Sequence, residues 1–509
     1  MNQSEITLKV ENNVTYILGK LDSEIYQKLR KHLGYLPEDS FWMLKQKANQ
    51  PREPWQKEWD GHISCVHYNG NCRCFEQKHG THFPTGLASK AIQFLKDNGV
   101  KVNQFDNRPL VNKTLNLQLS EEVENRPYQE EVIKKACSVD RGIIKMATGS
   151  GKSMVASAII ANRGVSPSIF YVPSIDLLTQ AKSEIEKFIR NNGLSFEVGQ
   201  LGGGKKQIRD ITVMTIQTAV ASLGGKYVKF DDEDNGSRED NKELEGMKKD
   251  ISDLIHNSKL FIMDECQHTA SETCQIISDC SISAKYRWGV SATPFRDKND
   301  DILIESCFGK TIADINASFL ILQGYLVQPT IYLIPIKNMK GVHASSYSNV
   351  YKIGIVENEE RNEKIAFLAN KMREDGRNVL ILVKQIAHGK TLEAMIDGSL
   401  FLHGAHSGKE RKTHLDKIRK GGPNITVASQ IFDEGIDVRP LDTLILGGGG
   451  KSSTRALQRI GRILRPFPGK TDAIVFDFMD FAQYLHPHSV KRKKIYESEP
   501  EFIINEYNF

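Results

Sequence analysis

The sequence predicts an α/β chain: two parallel-sheet domains in tandem, preceded by a small α+β domain. Three observations carry this. Short apolar runs alternate with helix-like stretches in one series, IFYVP, TVMTI, LFIMD and YRWGVSAT. A second series, NVLILV, LFLHG, ITVAS, DTLILGG and AIVFDF, repeats the pattern after a pause through roughly 310–350. Such alternation is the mark of a parallel sheet wrapped by helices. Ahead of both series, strand-like and helix-like pieces mix without that regularity. The predicted boundaries are 1–115 for the α+β domain, 120–310 and 351–486 for the two sheet domains, 311–350 for a connecting segment, and 487–509 for a basic-then-acidic tail.

Composition narrows the class. A chain of 509 residues can hold about two to four domains with real cores. No run approaches the ~18 apolar residues a membrane span needs. The polar start, MNQSEITLKVENN, predicts no secretory signal. Eight cysteines without a C-x-x-C pair predict reduced thiols and a cytoplasmic setting. The net charge of +5 is too mild to prove nucleic-acid binding, which depends on local patches.

In the first domain, ITLKV and VTYILG read as strands, SEIYQKLRKHLG and GLASKAIQFLKDNGV as helices. Between them Lys45, Lys47, Arg52, Trp55, Lys57 and Trp59 interleave cations with aromatics. That mixture suits phosphate contact and base stacking, although tryptophans equally suit a core. Cys65, Cys72 and Cys74 with His62, His67, His79 and His82 fit no standard zinc spacing. The expectation is a nucleic-acid-contact domain that can be removed without loss of the activity of the two sheet domains.

The chain is organised around MATGSGKS, Met146 to Ser153, which follows a short apolar strand and opens a helix. Thr148, Gly149, Ser150 and Gly151 let backbone N–H groups curl around phosphates at a helix N-terminus. Lys152 reaches those phosphates and Ser153 offers its hydroxyl to Mg²⁺, so the cofactors are ATP and Mg²⁺. The full pattern wants glycine where Met146 stands. A second GKS at Gly447–Ser452 lacks that glycine too. Downstream, LFIMDECQH places Asp264 and Glu265 at the carboxyl end of a strand, where ligands of parallel sheets bind. Asp264 suits a metal and Glu265 an attacking water. VSATP then sets Ser291 and Thr293 at a strand end, and QRIGRILRP spaces Arg459, Arg462 and Arg465 along a helix. Arg462 and Arg465 are three residues apart and share a face there. Residues 224–257 are charged and poor in apolar residues, which predicts a surface insertion. An EF-hand over Asp231 to Lys242 fails because Lys242 stands where a bidentate glutamate is needed.

In order, RPYQ, MATGSGKS, DECQ, SAT, EGID and QRIGRILR resemble the motifs of superfamily 2 helicases and translocases over roughly 120–485. The resemblance implies two RecA-like motor domains. It implies that Arg126 and Gln129 contact adenine, that Gln267 couples hydrolysis to motion, and that Gly435 and Asp437 approach nucleotide and strand. Gln458, Arg462 and Arg465 would complete the site, the arginines as finger and partner. It also makes the second GKS a loop before the arginine motif. Ser174, Gly203, Thr215, Thr218, Lys384 and Ser429 suit strand phosphates. Gln267 followed by His268 departs from the more frequent pattern and leaves open which one senses the γ-phosphate. WDG, FPTGL, LGGGKK and TIQT further resemble the phage recombination, UvsW-like branch-migration helicases. That likeness implies an ATPase remodelling forks, displaced-strand loops and Holliday junctions; the reading is of a monomer, with single-strand-binding or recombination proteins as candidate partners. An RNA helicase, an ATP-switched nucleic-acid scaffold and a restriction-complex motor remain as alternatives. Glu265 with the arginine pair argues for turnover.

Overall fold

A computed structural model of the chain describes residues 5–37, 62–67, 80–109, 126–224, 245–270, 272–295, 300–337, 346–404, 406, 408–419, 424–429, 438–450 and 453–507. Lys45, Lys47, Arg52, Trp55, Lys57, Trp59, Gly435 and Asp437 lie outside these residues, as do 225–244 of the expected insertion. The chain divides into two compact units, residues 1–146 with 151–314, and residues 147–150 with 315–509. No helix among the described residues is long and apolar enough to cross a membrane. The described cysteines 65, 137, 266, 280 and 307 are free thiols.

The first unit begins with a four-stranded sheet. Glu5–Val10 pairs antiparallel with Val14–Leu18 and parallel with Lys101–Asp106, and His82–Pro84 closes the outer side. Alternation along Glu5–Val10 turns Ile6, Leu8 and Val10 inward, as a sheet with one covered face requires. The helices Ser23–His32 and Ala88–Asp97 supply Leu29, Ala91 and Leu95 to the same core.

This layer is not a detachable module. The helix Ile302–Phe308 gives Ile302 to the N-terminal core and Ile304, Cys307 and Phe308 to the core of the next sheet. Asn12 and Asn13 donate their amides to the carbonyls of Ile282 and Asp279, both at 3.1 Å. Lys90 pairs with Glu305 at 3.2 Å. A Cβ on Gly86 would collide with the carbonyls of Glu305 and Ser306, so only glycine permits that approach. Removing this layer would therefore break packing, since one short helix serves two cores.

Among the described residues the large sheet of the first unit has eight strands, in the order Lys205–Gln207, Val198–Gly202, Ile211–Thr215, Ser168–Val172, Leu260–Asp264, Tyr286–Ser291, Arg141–Met146 and Thr311–Ile315. Its centre is parallel. Ser168–Val172 and Ile211–Thr215 are buried throughout, which is why these strands read as unbroken apolar runs. Part of the expected insertion belongs to this core. The helix Lys248–Asn257 buries Ile251, Leu254 and Ile255 on one face, while its charges point away.

The second unit holds seven parallel strands, ordered Leu400–Leu402, Ile425–Ala428, Val379–Leu382, Thr443–Ile445, Asp472–Asp480, Gln328–Ile336 and Ile503–Glu506. Two expectations change here. The segment 311–350 is no mere connector, since Thr311–Ile315 ends the first sheet and Gln328–Ile336 lies inside the second. Residues 487–509 are no tail. The helix Leu485–Glu497 buries Arg492, whose guanidinium meets Asp477 at 2.8 Å, and Ile503–Glu506 edges the sheet.

Candidate active site

The loop strand Arg141–Met146 ends with Met146 fully buried. Position 146 is still strand, pointing into the core, so a side chain there fills space and a glycine is not needed. Gly149 and Gly151 take φ of 86° and 84°, left-handed values that let the loop curl. The helix Lys152–Arg163 follows directly. A Cβ on Gly151 would collide with the Gln129 amide, so Gln129 lies over the loop. It is held there by a capping box in which Gln129 Oε1 accepts the Arg126 N–H at 3.3 Å. Lys152 folds back so that Nζ stands 3.5 Å from the Met146 carbonyl.

Two strands away, Asp264 ends Leu260–Asp264 and accepts the Glu265 N–H at 3.0 Å. Glu265 has φ of 49°, a value that costs a non-glycine residue energy and that gathers at functional positions. Gln267 donates to Glu265 Oε2 at 2.9 Å. Ser291 Oγ lies 2.6 Å from Gln267 Oε1 and 3.2 Å from Glu265 Oε2, and accepts the Thr293 N–H at 3.0 Å. Gln267 is thus the residue tied by hydrogen bonds to both Glu265 and Ser291, and His268 acts on Glu265 through its charge.

The two acids are pushed apart. Burial, then the charge of Glu265, raises Asp264 well above the usual carboxylate range, against the pull of Lys152. Burial also works to raise Glu265, but Lys152, Gln267, His268 and Ser291 outweigh it and the carboxyl ends below its ordinary value. Glu265 is therefore ionised, as a base must be. The Ser153 hydroxyl and the Asp264 carboxylate are hard oxygen donors, the set Mg²⁺ uses when phosphates and water fill its remaining positions.

The expected strand contacts on this unit share one sheet edge with the acids. Ser174 follows Ser168–Val172 and caps the helix Ile175–Asn191, accepting the Leu177 N–H at 3.4 Å. Gly203 turns the hairpin after Val198–Gly202 at φ 59°. Thr215 and Thr218 are buried, and their hydroxyls meet each other at 2.8 Å while Thr215 caps the helix Ile216–Ser222. These two hydroxyls hold the turn at that edge. In the second unit Lys384 and Ser429 follow the adjacent strands Val379–Leu382 and Ile425–Ala428. Lys384 is exposed, whereas Ser429 is almost buried and donates its N–H to Leu402.

Gln458 and Arg462 lie on the helix Ser453–Ile463. Arg465 lies beyond its end, so the shared helix face expected for the arginine pair does not form. A residue missed in the sequence holds that turn. Lys470, half-buried, donates to the carbonyls of Arg465 at 3.0 Å, Leu441 at 2.5 Å and Arg439 at 3.3 Å. Burial lowers it to about 8, against the pull of Asp442 and Asp472. A Gly-Lys pair in sequence signals only a turn. Arg361 is equally silent in sequence; it pairs with buried Asp480 at 2.6 Å and donates to Gly447 at 2.9 Å.

Residues 122–296 match the family model described as the type III restriction enzyme res subunit, and 362–466 match the helicase conserved C-terminal domain. The putative DNA 3'-5' helicase Rad25 of Halobacterium salinarum is 26% identical over 67% of this chain and 52% of its own length. The chain thus spans about half of that relative. The ATP-dependent DNA helicase uvsW of Enterobacteria phage T4 is 24% identical over 86% of this chain and 85% of its own. A fragment of a putative HsdR subunit of a type I restriction enzyme from Vibrio vulnificus is similar in fold, with a TM-score of 0.54, 18% identity, and coverage of 82% and 73%. The chain carries both domains of a superfamily 2 helicase.

Proposed function

We propose that this superfamily 2 helicase is an ATP-driven DNA translocase that remodels branched DNA. The carrying observation is the cluster of Lys152, Asp264, Glu265, Gln267 and Ser291 on the same sheet edge as Ser174 and Gly203. A nucleotide's phosphates would lie against the Gly149–Lys152 turn, with Gln129 and Arg126 at the adenine. Ser153 and Asp264 would hold Mg²⁺, which neutralises phosphate charge when bound. Glu265 takes the proton of the attacking water, and Gln267 and Ser291 hold its carboxylate in place. Gln458, Arg462 and Arg465 of the second unit serve the γ-phosphate in this reading, with Gly435 and Asp437 near nucleotide and strand. The chain would act as a monomer, with single-strand-binding or recombination proteins as partners. The likeness to the phage helicase supports the branched substrate.

The test is ATP turnover of the purified chain with single-stranded DNA, duplex, a four-way junction and RNA as activators. DNA should activate and the junction most strongly; equal activation by RNA would move the reading to an RNA helicase. The res-subunit match favours one second reading, the motor of a restriction-type assembly. That reading gains if the chain alone is idle on every DNA.

A further inference from the structure

After Asp472–Asp480 the chain turns through residues 481–484 into the helix Leu485–Glu497. The turn displays two rings to solvent, Phe481 at 56% exposure and Tyr484 at 39%. Tyr484 takes φ of 66° with ψ of −37°, a positive-φ conformation in which glycine is the ordinary choice. It stands at the helix N-cap, yet its side chain makes no capping hydrogen bond.

The rings are anchored from below, and one cation stands over that anchor. Phe481 stacks on His486, with centroids 5.6 Å and planes 19° apart. Tyr484 meets Tyr347 edge-on at 6.4 Å. Ala482 and Leu485 drop into a small core with Val350 and Tyr351. Tyr351 donates its hydroxyl to the Gly448 carbonyl at 2.7 Å, and the Lys384 ammonium stands 5.8 Å from its ring centroid. Lys384, the Gly447–Gly450 turn and Phe481 all follow carboxyl ends of strands in one parallel sheet. A ligand of such a sheet lies along that edge.

We propose that Phe481 and Tyr484 form a stacking platform for an unpaired base of the DNA strand, next to a phosphate held by Lys384. This rests on the reading of the chain as a DNA motor. Every base has a π-face, so such a platform holds a strand without reading its sequence, as a translocating motor requires. The exposed Lys384 over Tyr351, in the core that carries the turn, matches a polyanion better than an apolar protein face.

The full chain is tested with a single strand carrying 2-aminopurine at successive positions, whose fluorescence falls on stacking. Phe481→Ala removes one ring. Tyr484→Asn removes the other ring and leaves a shorter polar side chain on the same backbone, and Tyr484→Phe keeps the ring. Wild type and Tyr484→Phe should quench the probe at one position in the bound strand. Phe481→Ala and Tyr484→Asn should lose that quench and roughly 5- to 150-fold in affinity, with unchanged melting temperature and unchanged turnover without DNA. Wild-type affinity and quench in both variants would overturn the platform alone. A wild-type chain that neither binds the strand nor is activated by it would overturn the motor reading and the platform with it.

Discussion

The Ser291 hydroxyl has one proton and two acceptors within reach, Gln267 Oε1 at 2.6 Å and Glu265 Oε2 at 3.2 Å. It favours the nearer, leaving Gln267 to donate to Glu265 and fix the base's orientation. Ser291→Ala should therefore still bind ATP but lose about 10- to 100-fold in kcat, the worth of a hydrogen bond in a charged network. Lys152→Ala should abolish turnover and keep strand binding. If Ser291→Ala keeps wild-type kcat, the serine is only a strand-end cap. Asp264 carries a pH signature. Its raised carboxyl holds a proton above the usual carboxylate range in the metal-free protein, and that proton must leave before Mg²⁺ binds. Apparent Mg²⁺ affinity should rise with pH through Asp264's elevated value and level off above it. The measurement is the Mg²⁺ half-saturation of ATP turnover at a series of pH values, where a flat profile would remove Asp264 as a ligand.

At the scale of elements, what was legible depended on whether apolar residues ran unbroken. The strands ending in Met146, Asp264 and Ser291 were readable because parallel strands are buried on both faces and their motifs sit at their ends. The helix Lys248–Asn257 was hidden because Ile251, Leu254 and Ile255 are a narrow stripe among charges. The strand Gln328–Ile336 was hidden by Pro329 and Pro335, which normally argue against an inner strand. Site chemistry carried by a recognised motif could be read in advance, but a lysine that serves backbone carbonyls left no pattern. Lys470 is that case, and it fixes the turn carrying Arg465. Lys470→Met keeps the length of the side chain and leaves three carbonyls without their donor, costing about 1–3 kcal/mol for each buried group left unsatisfied. Lower urea resistance would follow from packing alone. Positioning of Arg465 predicts in addition a kcat that falls several-fold with KM for ATP little changed. Reduced stability with unaltered kcat would confine Lys470 to a structural part.

At the scale of the molecule, the N-terminal layer and the first motor sheet are one body. Besides the shared helix Ile302–Phe308, Arg108 pairs with Asp140 at 3.0 Å, and Arg141 donates to the Asn12 carbonyl. The joint reaches the acids. Gln275 donates its amide to the carbonyls of Thr269 at 2.6 Å and Leu303 at 3.0 Å, and Thr269 lies in the short helix Cys266–Ala270 that contains Gln267. A path of packing and hydrogen bonds thus runs from the N-terminal layer through the helix Ile302–Phe308 and Gln275 to the acidic segment. Removing residues 1–109 would bare Ile302 and Leu303 and strip buried Arg141 of its acceptor. Exposing one such aliphatic side chain costs about 1.5–3 kcal/mol, and leaving a buried guanidinium without its acceptor adds to that loss. The truncated chain should melt several degrees below the full chain and lose ATP turnover even on single strands, where a bare two-domain motor would suffice. Gln275→Leu in the full chain separates the two effects. It should keep turnover without DNA close to wild type while lowering the extra activation that a junction gives over a single strand. A truncation that melts and turns over like the full chain would make the layer a separable module. An unchanged junction preference in Gln275→Leu would leave the joint structural and place the choice of substrate elsewhere in the chain.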